Sequence, residues 1–350
     1  MRSAVFLVPG SIETRTGGYE YDRRIVRGLR ELGWRVDVRE LDGNFPMPSR
    51  AALDGASRLL AAIPDDTLVV VDGLALGSMP AQVEAEARRL RIVAIVHLPL
   101  AQEIGLDPAI AARLEACERR ALASVAAVVV TGAITVQTLI EYGVGRDRIA
   151  IVEPGTEHAP LARGAGAPFV HLVSVGALTP GKGHDVLVRA LAEVSHRNWR
   201  LTGAGSIDRH PPTAERIRAL VGAAGLDEHV RFAGDVDAAK LAALYDAADV
   251  FVLATLRETY GMAVAEALAH GLPVVATATG AIPDLVGHGV HAAGLVVPPG
   301  DVAALARALS QMLSDPRARQ RFAEGARRVR ERLPTWDDAA RRISQVLDRI

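Results

Sequence analysis

Two glutamates are the residues of this sequence whose type and spacing best suit ligand chemistry. Glu258 follows the apolar run Val250–Leu253 and precedes Gly261, and Glu266 comes eight residues later. This pattern predicts a strand, a turn at Gly261 and an apolar helix. Glu258 is therefore expected on the strand-to-helix loop. Glu266 is expected about one and a half turns into the helix, where its side chain leans back toward the same site.

The start of that helix also offers free backbone amides. Those of Tyr260, Gly261 and Met262 would suit an anion such as diphosphate. A carboxylate farther into the helix could accept hydrogen bonds from the two hydroxyls of a ribose. A plainer interpretation makes Glu258 a solvated residue at a helix start and Glu266 part of a charged helix face. An apolar helix argues against it, because an unpartnered Glu266 is costly to bury.

The elements that must position these residues follow from the alternation of short β-branched runs with longer helical patterns. This alternation predicts two doubly wound α/β domains. The predicted strands are Ala4–Val8, Val36–Val38, Leu68–Val71, Ile92–Val96 and Val125–Val130, then Val170–Val175, Trp199–Thr202, Val230–Phe232, Val250–Leu253, Pro273–Ala276 and Leu295–Val297. The predicted helices include Tyr19–Leu32, Ala109–Ala123, His184–Ser195, Ala214–Ala224, Lys240–Ala247 and Met262–His270.

The domain boundaries are predicted from composition. A stretch rich in Gly and Pro, residues 153–168, lacks periodicity and separates the two halves as a linker. After Asp301 the sequence is helical to the end, with one break at Leu333-Pro334. Ligands of such folds bind at the carboxyl ends of the strands, so a cleft between the two domains is the expected site.

Composition limits the class of partner and the compartment. The chain has 350 residues, with 40 Lys and Arg against 41 Asp and Glu, which disfavours nucleic acid as the main partner. Thirty-eight of the basic residues are Arg, and the two lysines are Lys182 and Lys240. The single cysteine, Cys117, excludes an intramolecular disulfide. Together with the lack of an apolar run long enough for a signal peptide or a membrane span, it predicts a cytoplasmic protein.

Several motifs occur in one order along the chain. They are Thr16–Tyr19, Val175–Gly183, Glu258–Glu266 with His270–Val275 after it, Thr277–Val286 and Gly294–Asp301. Together they resemble the signature of retaining GT-B glycosyltransferases of family 4, the glycosyl transferases group 1. The resemblance implies two Rossmann-like doubly wound domains facing across a cleft, with a C-terminal helix that crosses back to the first domain. Residues 1–160 with about 336–350 would form the acceptor-side domain, and residues 161–335 the domain that binds the nucleotide sugar.

The resemblance also implies roles for individual residues. Lys182 falls where the family holds the donor diphosphate, Glu258 where it contacts the donor sugar, and Glu266 where it holds the ribose. His97 matches a first-domain histidine that orients the sugar or the incoming hydroxyl, although a histidine packed at a strand end is the alternative. The other implied donor-binding positions are Tyr260, Gly261, Met262, Gly17, Gly18 and Gly203.

The sequence departs from the family pattern at three positions. Ala177 stands where an Arg is common, and Gly181 is neutral where a subset of relatives carries a basic residue. Either fewer cations contact the donor phosphates in this protein, or Arg15 or Arg257 supplies the missing positive charge. The third departure, Asp284 in place of the usual Glu, shortens a side chain by one carbon.

Three further motifs have a functional and a plainer interpretation. Asp235-Val-Asp237 resembles the metal-binding D-x-D of other glycosyltransferases, but it fits a helix-capping turn better. Gly203-Ala-Gly205 resembles a dinucleotide fingerprint, but Asp208 stands at the third glycine position, and a turn near the donor base explains it as well.

A basic helix is the third of these motifs. Arg113, Arg119 and Arg120 could contact anionic lipid, as in membrane-associated relatives. The interleaved Glu115 and Glu118 favour a neutralised surface helix instead.

The implied function is transfer of a sugar from a nucleotide-diphosphate sugar to an acceptor hydroxyl, with anomeric retention and with neither metal nor cofactor. The acceptor would be a small molecule, a lipid-linked molecule or a glycan. Two alternatives stay open from the sequence. One is a sugar-nucleotide 2-epimerase on the same fold, and the other is a two-domain ligand-binding protein without catalysis.

Overall fold

Two six-stranded parallel sheets, one in each of two units of the chain, organise the structure, a computed structural model that describes residues 2–350. One unit consists of the residues up to Gly155 together with Pro334–Ile350, and the other is Thr156–Leu333. Each sheet lies between helices, which explains why the strands are short, β-branched and buried on both faces. The α/β class and the two Rossmann-like sheets predicted from the sequence are confirmed.

The first unit orders its strands β2-β1-β3-β4-β5-β6, so the direction of winding reverses between β1 and β3. Its strands are β1 (Ser3–Pro9), β2 (Arg35–Leu41), β3 (Leu68–Asp72), β4 (Arg91–Val96), β5 (Ala127–Val130) and β6 (Ile149–Ile151). Its helices are α1 (Gly17–Glu31), α2 (Arg50–Ala61), α3 (Gly73–Leu76), α4 (Pro80–Glu86), α5 (Pro108–Ala123), α6 (Ile134–Glu141) and, from the end of the chain, α14 (Trp336–Leu347).

The second unit repeats this arrangement with the order β12-β11-β10-β7-β8-β9, and its winding reverses between β7 and β10. Its strands are β7 (Val170–Val175), β8 (Trp199–Ala204), β9 (Val230–Phe232), β10 (Val250–Leu253), β11 (Val274–Thr277) and β12 (Gly294–Val297). Its helices are α7 (His184–Ala192), α8 (Pro211–Ala223), α9 (Ala238–Asp246), α10 (Met262–Ala269), α11 (Ile282–Val286), α12 (Val302–Ser314) and α13 (Pro316–Arg330).

Helix α14 returns to the first unit and packs on α1, as the predicted C-terminal crossover requires. Its buried positions recur at helical spacing: Ala339, Ala340, Ile343, Ser344 and Leu347. A Cβ at Gly28 of α1 would lie 2.5 Å from the Cβ of Ala340, so the two helices pack closely because Gly28 lacks a side chain. The indole Nε1 of Trp34 donates a 3.0 Å hydrogen bond to Ser344 Oγ.

The helical tail has a second break that the sequence analysis missed. Chain direction changes at Asp315, whose carboxylate accepts hydrogen bonds from the amides of Arg317 and Ala318 and caps α13. Asp followed by Pro316 at the first helical position is a start signal. Because the helical periodicity continues on both sides of Asp315, the sequence analysis did not detect this break. Helices α2, α3, α4, α6 and α11 and the short strand β6 were also not predicted.

Two of the three arginines of α5 are neutralised, whereas Arg113 contacts Met47 Sδ, and the predicted partner Glu118 is buried and accepts a hydrogen bond from the Leu100 amide. Arg119 pairs with Glu115 at 2.7 Å, and Arg120 pairs with Glu84 of α4 at 2.7 Å. Within residues 2–350, no helix is both long enough and apolar enough to cross a membrane.

Candidate active site

Lys182 and Glu258 follow two strands that are neighbours in the second sheet although they are distant in sequence. Strand β7 leads to the Lys182 loop and β10 leads to the Glu258 loop, and the two strands pair in parallel. They meet where the winding reverses. There the outgoing connections run to opposite faces of the sheet and leave a crevice at the carboxyl ends.

The structure brings the two predicted residues into direct contact. The Lys182 ammonium donates a hydrogen bond to Glu258 Oε1. The Lys182 side chain is 33% exposed and that of Glu258 16%, so the pair lies at an opening rather than in the core. Each charge is compensated there, and both groups stay accessible to a ligand.

Backbone contacts fix the relative position of the two loops. The carbonyl oxygen of Gly181 accepts a 2.8 Å hydrogen bond from the Leu256 amide and lies 3.0 Å from the hydroxyl of the buried Thr255. Gly183 has φ of +62°, and a Cβ there would lie 2.0 Å from the carbonyl oxygen of Ala254. Only glycine combines this left-handed conformation with so close an approach, so the residue after Lys182 serves to position the lysine.

Gly261 makes the predicted turn into α10. Its φ is +97°, and the helix begins at the next residue, Met262. The Val264 amide already donates a 3.0 Å hydrogen bond to the Gly261 carbonyl, so the amides of Met262 and Ala263 are the ones that point out of the N-terminus. The loop before the turn is held by Gly280, where a Cβ would lie 2.5 Å from the carbonyl oxygen of Glu258.

Glu266 has a partner that sequence reasoning missed. The Tyr245 hydroxyl donates a 2.9 Å hydrogen bond to Glu266 Oε2, and the Tyr245 ring stacks on His270 at 4.9 Å. Burial, reinforced by the Glu266 charge, raises the pKa of Tyr245 well above its usual value, so it remains a donor. In the sequence Tyr245 looks like an ordinary apolar position of α9.

His184 lies directly after the Lys182–Gly183 turn and is buried. Burial first, and the Lys182 charge second, lower the pKa of His184 to about 4. The imidazole is therefore neutral near pH 7, and Lys182 is the cation of this turn.

In the first unit, His97 follows β4 and makes contacts at the carboxyl ends of the strands. Its Nε2 lies 3.2 Å from Asp22 Oδ1 and 3.3 Å from Asp72 Oδ2. A Cβ at Gly18 would lie 3.1 Å from its Cδ2, so this glycine makes room for the ring. The side chain is 21% exposed, so His97 is held firmly without being sealed in the core. Sequence reasoning missed both aspartates.

Two glycine predictions change in detail. Gly17 and Gly18 form the first turn of α1, capped by Thr16, rather than a loop before a helix at Tyr19. Gly203 lies within β8, and a Cβ there would lie 2.7 Å from the Phe232 ring. Its lack of a side chain is therefore needed for packing. A donor-binding role for all three glycines stays a prediction.

The remaining sequence motifs can be located in the structure. Asp237 caps α9 by accepting a 2.8 Å hydrogen bond from the Lys240 amide, which confirms the capping interpretation of the D-x-D. Asp284 is exposed in the first turn of α11, and Arg257 is exposed beside Glu258.

Comparison with known proteins identifies the second unit. Residues 168–329 match the family model described as "Glycosyl transferases group 1". The second unit is a group 1 glycosyltransferase domain. The family predicted from the Lys182, Glu258 and Glu266 motifs is thereby confirmed.

Curated relatives of this glycosyltransferase domain are themselves glycosyltransferases. The chain is 33% identical over 202 residues to D-inositol 3-phosphate glycosyltransferase of Corynebacterium efficiens, covering 53% of this chain and 47% of that protein. It is 26% identical to MMP alpha-(1->4)-mannosyltransferase of Mycolicibacterium hassiacum, over 91% of this chain and 80% of the relative. The chain spans about half the length of the two inositol-phosphate glycosyltransferases that it matches at 33% identity.

Solved structures share the fold over the full chain. Sucrose-phosphate synthase from Thermosynechococcus elongatus has a TM-score of 0.84 at 22% identity, covering 100% of this chain and 99% of that one. HepE of Anabaena, solved with UDP and glucose, has a TM-score of 0.81 at 17% identity over 100% of both chains. The chain therefore has the GT-B fold.

Proposed function

We propose that this protein transfers a sugar from a nucleotide-diphosphate sugar to an acceptor hydroxyl, with retention of the anomeric configuration. The observation that carries the proposal is the contact between Lys182 and Glu258 beside the start of α10, within a group 1 glycosyltransferase domain. A cation, a carboxylate and free helix amides together suit a diphosphate joined to a sugar.

Lys182 stabilises the leaving diphosphate. Negative charge grows on the phosphate oxygens as the bond to the sugar breaks, and a preorganised cation and helix amides lower the energy of that state. The lysine ammonium has three donors, so it can bind phosphate while keeping its contact with Glu258. Glu258 in turn accepts hydrogen bonds from the sugar hydroxyls.

Glu266 binds the ribose of the donor. A carboxylate offers about four acceptor positions, and two of them suit a pair of vicinal hydroxyls while Tyr245 donates to Oε2. Tyr245 fixes the orientation of the carboxylate. In the first unit, His97 contacts the transferred sugar or the incoming hydroxyl.

Relatives support this donor class. UDP and glucose are bound in the HepE structure, and the curated relatives are named for transfer to D-inositol 3-phosphate and for mannosyl transfer. We therefore propose a uridine diphosphate sugar as donor, and a small molecule, a lipid-linked molecule or a glycan as acceptor.

A donor screen followed by product analysis tests the proposal. Sugar nucleotides of UDP, GDP, ADP and dTDP are compared by thermal shift, because a ligand at 100 times its Kd stabilises the folded state by about 2.7 kcal/mol. The stabilising donor is then incubated with and without acceptor hydroxyls, and products are examined by NMR. A product with the donor's anomeric configuration supports transfer. An epimerised sugar without acceptor indicates the epimerase, and binding with no turnover indicates a binding protein.

Replacing Tyr245 by Phe tests the ribose contact. The variant keeps the ring and its stacking on His270 but leaves Glu266 without its hydroxyl donor. A hydrogen bond to a charged group is worth about 1.5–3 kcal/mol, so the KM for the donor should rise about tenfold with a smaller change in kcat. Tyr142→Phe in the first unit is the control. An unchanged donor KM would remove Tyr245 from the site.

Excess chelator should leave transfer unchanged. Lys182 and the amides of α10 supply the positive charge that a metal supplies in D-x-D enzymes. The measurement is initial rate after incubation with EDTA and removal of the chelator–metal complex. Loss of activity that returns with added Mg²⁺ or Mn²⁺ would show a metal requirement and revive Asp235 as a ligand.

A further inference from the structure

Two buried aspartates meet His97 on a single ring nitrogen. Asp22 belongs to the core-facing side of α1 and is 0% exposed, and Asp72 ends β3 and is 2% exposed. Their oxygens lie 3.2 and 3.3 Å from Nε2 of the imidazole. Burying a carboxylate is costly unless it is paired, so two of them at one histidine need a reason beyond packing.

The contacts decide which nitrogen carries a proton. Where both carboxylates are ionised they only accept hydrogen bonds, so Nε2 must then be protonated to satisfy them. Asp72 Oδ1 also accepts a 2.8 Å hydrogen bond from the Leu74 amide, which holds that side chain in place. Within residues 2–350, Asp22 Oδ2 has no hydrogen-bond partner, so Asp22 is held to the site chiefly through His97. Nδ1 is the ring nitrogen that remains for a ligand.

The charges around the ring favour the imidazolium. Burial opposes the positive charge, but Asp22 and Asp72 outweigh it and raise the pKa of His97. Burial also raises the pKa of Asp22, against the pull of His97, and nearby Asp72 adds to the rise. Two neutral groups also contact the ring. Tyr21 meets it edge-on at 5.3 Å while its hydroxyl donates to the Val152 carbonyl, and Gly18 covers Cδ2.

We propose that Asp22 and Asp72 are positioning residues that hold His97 as an imidazolium, with Nε2–H turned to the carboxylates and Nδ1–H offered to an oxygen of the substrate. His97 then acts as a charged hydrogen-bond donor, to a sugar hydroxyl or a phosphate oxygen, and not as the proton acceptor for the incoming hydroxyl. The contact between His97 and the substrate rests on the proposed glycosyl transfer. The protonation state of His97 does not depend on that function.

An NMR titration of the histidine rings tests the protonation state. The 10 histidines are labelled with 15N, and the His97 signal is identified by its loss in His97→Gln. In the wild type, His97 should remain doubly protonated through pH 8, whereas an ordinary histidine titrates near 6.5. Asp22→Asn and Asp72→Asn should each lower its titration midpoint by about one pH unit or more, since each removes an opposite charge in direct contact.

Matched variants keep the titration interpretable. Asp54→Asn changes the same charge at an exposed position of α2 and should leave His97 unchanged. If Asp22→Asn does not fold, Asp72→Asn and the wild-type titration still decide the question. A wild-type His97 midpoint near 6.5, or a midpoint unmoved in both folded variants, would overturn the proposal.

The pH profile of transfer separates positioning from simple support of the fold. In Asp22→Asn, kcat should fall as the pH rises through the lowered His97 midpoint, while the wild type stays level over that range. Loss by the same factor at every pH would mean a structural role and overturn the proposal. A transition metal bound stoichiometrically to the wild type and absent from Asp22→Asn would also overturn the proposal, since the metal would then occupy Nε2. Absence of transfer with the expected NMR titration would refute the proposed function alone.

Discussion

Replacement of Lys182 by Ala is expected to lower kcat/KM for sugar transfer by about 10²-fold or more, the scale of removing one preorganised donor from a developing anion. The substitution removes the cation and also leaves Glu258 with no ammonium beside it. The unpaired carboxylate would then repel the donor diphosphate. Initial rates at varied donor concentration give the change.

Lys240→Ala is the control for this substitution. Lys240 is the other lysine of the chain and is exposed in the first turn of α9, so its loss should leave the rate unchanged. Adding Glu258→Gln to Lys182→Ala should cost less than the product of the two single effects, because the two groups act as a pair. Wild-type turnover in Lys182→Ala would remove the lysine from the mechanism.

Replacement of Ile343 by Ala is expected to lower the free energy of unfolding of the first unit by about 2–5 kcal/mol. Ile343 is 1% exposed and lies in the buried stripe of α14. The close contact of Gly28 with Ala340 holds the backbones of α1 and α14 in place, so the cavity left by the lost side chain cannot easily collapse. The helix should loosen from α1 before the second unit unfolds.

Urea unfolding followed by tryptophan fluorescence measures this effect. In a Trp199→Phe background the signal comes from Trp34 and Trp336, which both belong to the first unit. Ile140→Ala on α6, where the side chain is 39% exposed, is the control and should change stability by less than about 0.5 kcal/mol. A loss of stability in Ile343→Ala as small as that of the control would mean that α14 contributes little to the stability of the first unit.

The sheets and the loops that carry Lys182 and Glu258 could be predicted from sequence because their signals are local. Buried parallel strands are continuous β-branched runs, and Gly261 marks the turn after one of them. Since the carboxyl ends of parallel strands share one edge of a sheet, residues that follow two strands are expected there together. Lys182 and Glu258 fulfil that expectation because β7 and β10 are neighbours.

Sequence alone therefore determined the α/β class, the family and the glutamate and lysine to mutate first. The tertiary structure alone decided which groups surround them. Asp22 and His97 are 75 residues apart in sequence, and Asp22 looks like any polar residue of an amphipathic helix until α1 is packed on the sheet. Tyr245 likewise looks like a core residue in the sequence, and only the packing of α9 against α10 shows its contact with Glu266. Local periodicity tells which face of an element is buried, but the contacts across that face depend on the strand order.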